Sequence, residues 1–163
     1  MLFSGESFLQ GGDMTIWFEG SNRIECDIQQ VKQSLENLGE HYVALVQLMP
    51  GLSSVELVEQ GDDFVTIRTN EGYMKRKNIS INITDESVVI AFDEKYQAGS
   101  MLTTRSHFID TFTKTDLEIE HHLSISNLTA PGFMGFFYRT FGKSSTGNAF
   151  LASYKTYFEG NKP

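Results

Sequence analysis

"NISINITDESVVIAF", residues 78–92, alternates apolar and polar side chains on both sides of an acidic tip at Asp85 and Glu86. Two period-two runs joined by a polar turn describe a half-buried antiparallel hairpin. Pairing outward from the tip sets Ile83 against Val88, Ile81 against Ile90 and Ile79 against Phe92, all on one face. Asn78, Ser80, Asn82 and Thr84 take the opposite face, as in a sheet wetted on one side.

The same period runs from Ser53 to Thr129, punctuated by turn residues, and predicts strands at about 53–59, 64–69, 73–84, 87–98, 101–113 and 116–128. In "TNEGY", residues 69–73, Gly72 reads as the left-handed third residue of a three-residue loop. That pairs Thr69 with Tyr73 and puts Val65 and Ile67 on the face of Ile79, Ile81 and Ile83. In "LEIEHHLSI", residues 117–125, Leu117, Ile119, Leu123 and Ile125 alternate with Glu118, Glu120, His122 and Ser124, so His121 points inward and His122 outward. A loop around Lys114 and Thr115 sets Phe112 against Leu117, Asp110 against Ile119 and Phe108 against His121. Asp110 and His121 become diagonal neighbours on the inward face.

Upstream, "MTIWF" (14–18) predicts a first strand. Asp27 with Gln30 forms a capping box for a helix whose stripe is Ile28, Val31, Leu35 and Leu38 and which Gly39 stops. A second short helix spans Glu40 to Met49, ended by Pro50 and Gly51. After Pro131 the period returns to 3.6, over a helix of up to about 28 residues, about 42 Å if straight. Phe133, Phe137 and Phe141 share one side of it. Leu151, Tyr154 and Phe158 lie about a quarter-turn away, and the glycines and serines of "GKSSTG" (142–147) predict a kink or break between the two groups.

The 163 residues fit one domain, read as 14–163 behind a flexible Gly/Ser-rich arm at 1–13. A net charge of −8 opposes a nucleic-acid partner, and "MKRK" (74–77) reads as a solvated strand end. Cys26 is the sole cysteine, which excludes an internal disulfide and fits a reducing cytoplasm. The first residues lack the charged and apolar regions of a signal peptide, so the Asn-x-Ser/Thr matches at Asn78, Asn82 and Asn127 carry no glycosylation reading. No metal-ligand spacing occurs among His41, His107, His121 and His122, and no cofactor motif is present; "GKSSTG" lacks the spaced glycine and preceding strand of a phosphate loop.

One strand, two short helices, a six-strand meander, "PG" after the second helix and "APGFMGFF" (130–137) opening a long last helix resemble the START-like (SRPBCC) superfamily of helix-grip domains, over residues 14–159. This family includes pollen-allergen-like proteins, polyketide cyclases and lipid-transfer domains. The resemblance implies an α+β fold, a seven-stranded curved antiparallel sheet wrapped around the C-terminal helix, with a ligand cavity between them. The residues then expected to line it are Ile81, Ile90, Phe92, Phe108, Asp110, Phe112 and His121 from the sheet. Phe133, Phe137, Phe141 and Tyr154 would face them from the helix. The same rings are large enough to fill the space themselves.

Three function classes follow. The first is binding or transport of an apolar or amphipathic small molecule: a lipid, isoprenoid or aromatic metabolite. The second is a cyclase or dehydratase in which Asp110 orients His121 as general acid/base. The third is a protein-interaction module. With only Arg139, Lys143 and Lys155 on the last helix, a membrane-surface role and stable insertion are disfavoured. Oligomeric state is left open.

Overall fold

A computed structural model describes residues 14–160; the N-terminal arm read at 1–13 lies outside them. The order is β1 (Ile16–Ile24), α1 (Ile28–Ser34), α2 (Leu38–Val46), β2 (Val55–Gln60), β3 (Val65–Thr69), β4 (Gly72–Ile83), β5 (Ser87–Ala98), β6 (Leu102–Lys114), β7 (Ile119–Thr129), α3 (Gly132–Phe141) and α4 (Lys143–Glu159). The strands form one seven-stranded antiparallel sheet in the order β1-β7-β6-β5-β4-β3-β2. It is a meander from β2 to β7, with β1 returning beside β7.

Local chemistry fixes the helix starts. Asp27 accepts from the Gln29 backbone N–H at 2.9 Å while the Asp27 N–H donates to Gln30 Oε1 at 3.1 Å, closing the expected capping box. Asn37 caps α2 by accepting from Glu40 N at 3.1 Å. Gly39 therefore opens the second helix instead of stopping the first. It is glycine because a Cβ there would lie 2.8 Å from the Gln60 amide, which accepts the Gly39 N–H at 3.0 Å.

The β4–β5 hairpin has the expected register, Ile83 opposite Val88 and Ile81 opposite Ile90. The β3–β4 register is off by one from expectation. Tyr73 pairs with Arg68, Met74 with Ile67 and Arg76 with Val65. The loop sets this register, Thr69 Oγ1 accepting from the Glu71 and Gly72 N–H groups at 3.0 and 3.2 Å. A bulge further along β4, between Lys77 and Ser80 where Asn78 takes φ +55°, then changes the phase of the strand. One extra residue reverses which side chains face inward, so Met74 and Arg76 point inward before it and Ile79 after it. Gly72 has no left-handed backbone; it is glycine because a Cβ would lie 1.8 Å from the Gln97 carbonyl oxygen on β5.

The β6–β7 register is displaced too. Phe112 faces His121, Asp110 faces Leu123 and Phe108 faces Ile125. The connecting loop is longer than expected, and Leu117 sits at its tip, 94% exposed. The displacement is an even number of residues, so Ile119, His121, Leu123 and Ile125 of β7 stay inward, while Leu117 is lost to the loop.

The expected C-terminal helix breaks at Gly142 into α3 and α4. Only α4 fills the concave side of the sheet, burying Phe150, Leu151, Tyr154 and Phe158 with Tyr42, Leu45 and Val46 of α2 and the inner residues of β4 to β7. Gly147 lets α4 approach β1 closely, because a Cβ there would lie 2.4 Å from three atoms of the Phe18 ring.

Candidate functional site

Where α4 gives way to α3, the concave side is not filled. A partly open cavity of about 390 Å³ lies there, bounded by β4–β7, the loop after α2 and the α3–α4 junction. Trp17, Met49, Leu52, Met74, Leu102, Phe108, Ile125, Leu128 and Phe150 make most of its wall. Polar atoms come from Glu71, Glu94, Tyr96, Thr104, Ser106, Tyr138, Ser145 and Thr146.

Glu94 is the buried charge in this wall. Its carboxylate Oε2 accepts from Arg76 Nε at 3.0 Å and lies 2.9 Å from Arg76 Nη2; the two side chains are 7% and 2% exposed. Nη2 has no aligned acceptor, and Oε1 takes no hydrogen bond from the described residues. The guanidinium lies 4.6 Å from the ring centroids of both Tyr42 and Phe92, with Phe108 and Phe150 at 5.6 and 5.5 Å. Such an aromatic box stabilises a desolvated cation. Burial pulls the Arg76 guanidinium down, but the carboxyl of Glu94 opposes this by charge and hydrogen bond, and the guanidinium is held above its ordinary value. Burial raises the Glu94 carboxyl, with Arg76 opposing. Glu94 is therefore a buried carboxyl paired, among the described residues, with Arg76, with one oxygen left over.

A second polar cluster lies deeper, under α4. His121 Nε2 is 2.7 Å from Asp110 Oδ1, so the sequence-expected pair forms. The imidazole stacks on Phe112 at 4.4 Å and meets the edge of Tyr154 at 4.7 Å. His41 Nε2 lies 3.3 Å from the Tyr154 hydroxyl, and desolvation, then Arg76, lower its imidazole to about 3. His41 is thus neutral over the physiological range. Neither Asp110 nor His121 lines the cavity, and both are sealed by rings. The pair clamps strands β6 and β7; it offers no surface at which a substrate could exchange a proton.

Of the side chains expected at a cavity wall, Phe108 alone lines it. Ile90, Phe92, Phe112 and Tyr154, with Asp110 and His121, are core, filling the space the fold analogy leaves for ligand. Ile81 lies on the bulged, uncovered half of β4 and is half-exposed. Phe133, Phe137 and Phe141 are corrected outright: they point away from the sheet on the outer face of α3. The reason is Gly135, the sole buried residue of α3, which seats the helix on the Ala130 carbonyl and turns the phenylalanines outward. Sequence reasoning missed Arg76, Glu94 and Trp17. Arg76 was hidden by the bulge at Asn78. Glu94 carried a usable signal, since it alternates with Ile90 and Phe92 on the inward face of β5.

The geometry matches that of solved structures at low sequence identity. A hypothetical protein from Helicobacter pylori superposes with a TM-score of 0.60 at 11% identity, over 86% of both chains. A STAR-related lipid transfer protein from Xanthomonas axonopodis gives 0.55 at 9% identity, over 86% of this chain and 84% of that one. The chain has a START-like fold. The di-domain ARO/CYC BexL of the BE-7585A biosynthetic pathway gives 0.51 at 15% identity, with 90% of this chain covering 50% of that one. No protein-family model matches the sequence, and no curated protein is significantly similar to it. The START-like likeness is therefore one of fold.

Proposed function

We propose that this protein binds a small, largely apolar molecule carrying one hydrogen-bond donor, and holds or carries it in the cavity beneath the α3–α4 junction. One observation supports the reading: a partly open, mainly apolar cavity contains a buried carboxyl, Glu94, pinned by a caged guanidinium and with one oxygen that takes no hydrogen bond from the described residues. A buried ion pair is a poor source of stability, because well-packed apolar residues of similar volume often serve as well or better. Its presence at the wall of a cavity is accounted for by a ligand that uses it. Glu94 Oε1 can accept from a hydroxyl or amine, while Met74, Phe108, Ile125, Leu128 and Phe150 cover the apolar body.

Size narrows the class. A cavity of roughly 150 Å³ takes benzene, so 390 Å³ accommodates a two- or three-ring compound, or a branched chain of similar volume. Two acyl chains do not fit. The lipid-transfer and ARO/CYC names of two fold neighbours are consistent with apolar or polycyclic cargo.

The test uses a matched pair of probes, naphthol and naphthalene. Wild type should bind both, naphthol more tightly, by a factor of about ten for one hydrogen bond to a charged group. The double variant Arg76→Met/Glu94→Leu should retain naphthalene and lose the preference. Absence of binding of either probe by wild type contradicts the reading.

A further inference from the structure

The outer face of α3 is the largest feature that the cavity does not explain. Phe133 and Phe141 are 75% and 71% exposed, with Met134, Phe136 and Phe137 also open to solvent. The rings pack on one another along the helix. Phe133 and Phe137 are 4.8 Å apart, Phe136 and Phe137 6.0 Å, and Phe137 and Phe141 5.8 Å. They form a continuous aromatic ladder along a ten-residue helix. At about 200 Å² per large side chain, the exposed fractions amount to roughly 560 Å² of apolar surface, at the upper end for a monomer.

Charge and area together select what covers it. The chain carries a net charge of −8, yet from His121 to Phe158 it contains no Asp or Glu, and Arg139 and Lys143 stand at the end of the ladder. A locally cationic, aromatic helix face on an acidic protein complements an anionic lipid surface. A second copy is disfavoured, since a stable interface takes about 800 Å² from each partner, more than the ladder supplies. The few basic residues of the last helix disfavour a membrane-surface role on sequence grounds, and the exposed ladder reverses that expectation. We propose that α3 docks the protein on a bilayer, its phenylalanines entering the headgroup–acyl boundary and Arg139 and Lys143 meeting anionic headgroups.

The position of α3 links this surface to the cavity. Its inner face contributes Tyr138 to the cavity wall, and its backbone is tied to β1 by the Trp17 indole N–H donating to the Arg139 carbonyl at 2.9 Å. The docking surface and the cavity are thus two faces of one short helix, although docking does not depend on what the cavity binds.

Flotation of the full chain with vesicles of phosphatidylcholine, with and without phosphatidylglycerol, tests the proposal. Wild type should float, more so with phosphatidylglycerol. The triple variant Phe133→Ser/Phe137→Ser/Phe141→Ser should partition at least about tenfold less, with an unchanged melting temperature and unchanged naphthol affinity in solution. The proposal is overturned if wild type stays unbound, if the triple variant floats equally, or if the ladder instead supports a dimer that the triple variant dissolves. Naphthol binding without flotation removes the docking surface and leaves the cavity reading intact. Flotation without naphthol binding does the reverse.

Discussion

Replacing Arg76 with methionine removes the counter-charge that Glu94 has among the described residues, while keeping an unbranched chain to fill the space. The cost can be worked from the structure. Left alone, the carboxylate either stays charged in an apolar box or takes up a proton. Protonation caps the penalty: from an ordinary value of 4.5 to neutral pH it costs about 1.36 kcal/mol per unit, or about 3.4 kcal/mol. Loss of the guanidinium from its position 4.6 Å from the rings of Tyr42 and Phe92 adds about 1–2 kcal/mol. The sum, about 5 kcal/mol, agrees with the cost of breaking a buried pair. For a chain of this size it lowers the melting temperature by roughly 10–20 °C. In Arg76→Met/Glu94→Leu no charge is stranded, so stability should return to within about 1–2 kcal/mol of wild type. Urea unfolding of wild type, single and double variants measures both numbers. A double variant as unstable as the single one would refute the reasoning, for the pair would then be a structural strut and not a recognition element.

His41 should make the fold acid-sensitive. Its folded value of about 3 lies below the ordinary 6.5, so its contribution is complete above pH 6.5 and is lost as pH falls towards 3, by about 4–5 kcal/mol in all; His41→Asn should flatten the urea stability profile across that window. Gly147→Ala should cost about 1–2 kcal/mol in thermal unfolding despite the better helix former, because the new methyl meets the Phe18 ring at 2.4 Å. Phe137→Ser should leave naphthol affinity unaltered, whereas Ser106→Leu, on the cavity wall, should weaken it at least about tenfold; the opposite pattern would put the ligand on the phenylalanine face.

What was legible in the sequence follows from which interactions are local. The Asp27 capping box, the turn at Asp85 and the break at Gly142 are short-range, and each lies where residue chemistry places it. Asp110 and His121 met because an even displacement of register preserves faces. The bulge at Asn78 had no such protection. One unpaired residue with φ +55° reversed the phase of β4 and turned Arg76 from an apparent surface charge into the centre of the site. The outward turn of α3 was likewise invisible. Helical periodicity shows that Phe133, Phe137 and Phe141 share a face, but the seat of Gly135 on the Ala130 carbonyl decides which way that face looks.

Trp17 supplies the most direct test of the cavity, being the only tryptophan in the chain and part of the cavity wall. Energy transfer from Trp17 to a naphthol-type acceptor, titrated into wild type and into Ala149→Phe, reads occupancy at the site itself. Ala149 lines the same cavity, and a phenyl group there removes volume the ligand needs. The account predicts saturable, one-to-one quenching of Trp17 in wild type and its loss in Ala149→Phe, with both proteins equally folded. Quenching that fails to saturate, or that survives unchanged in Ala149→Phe, would contradict it.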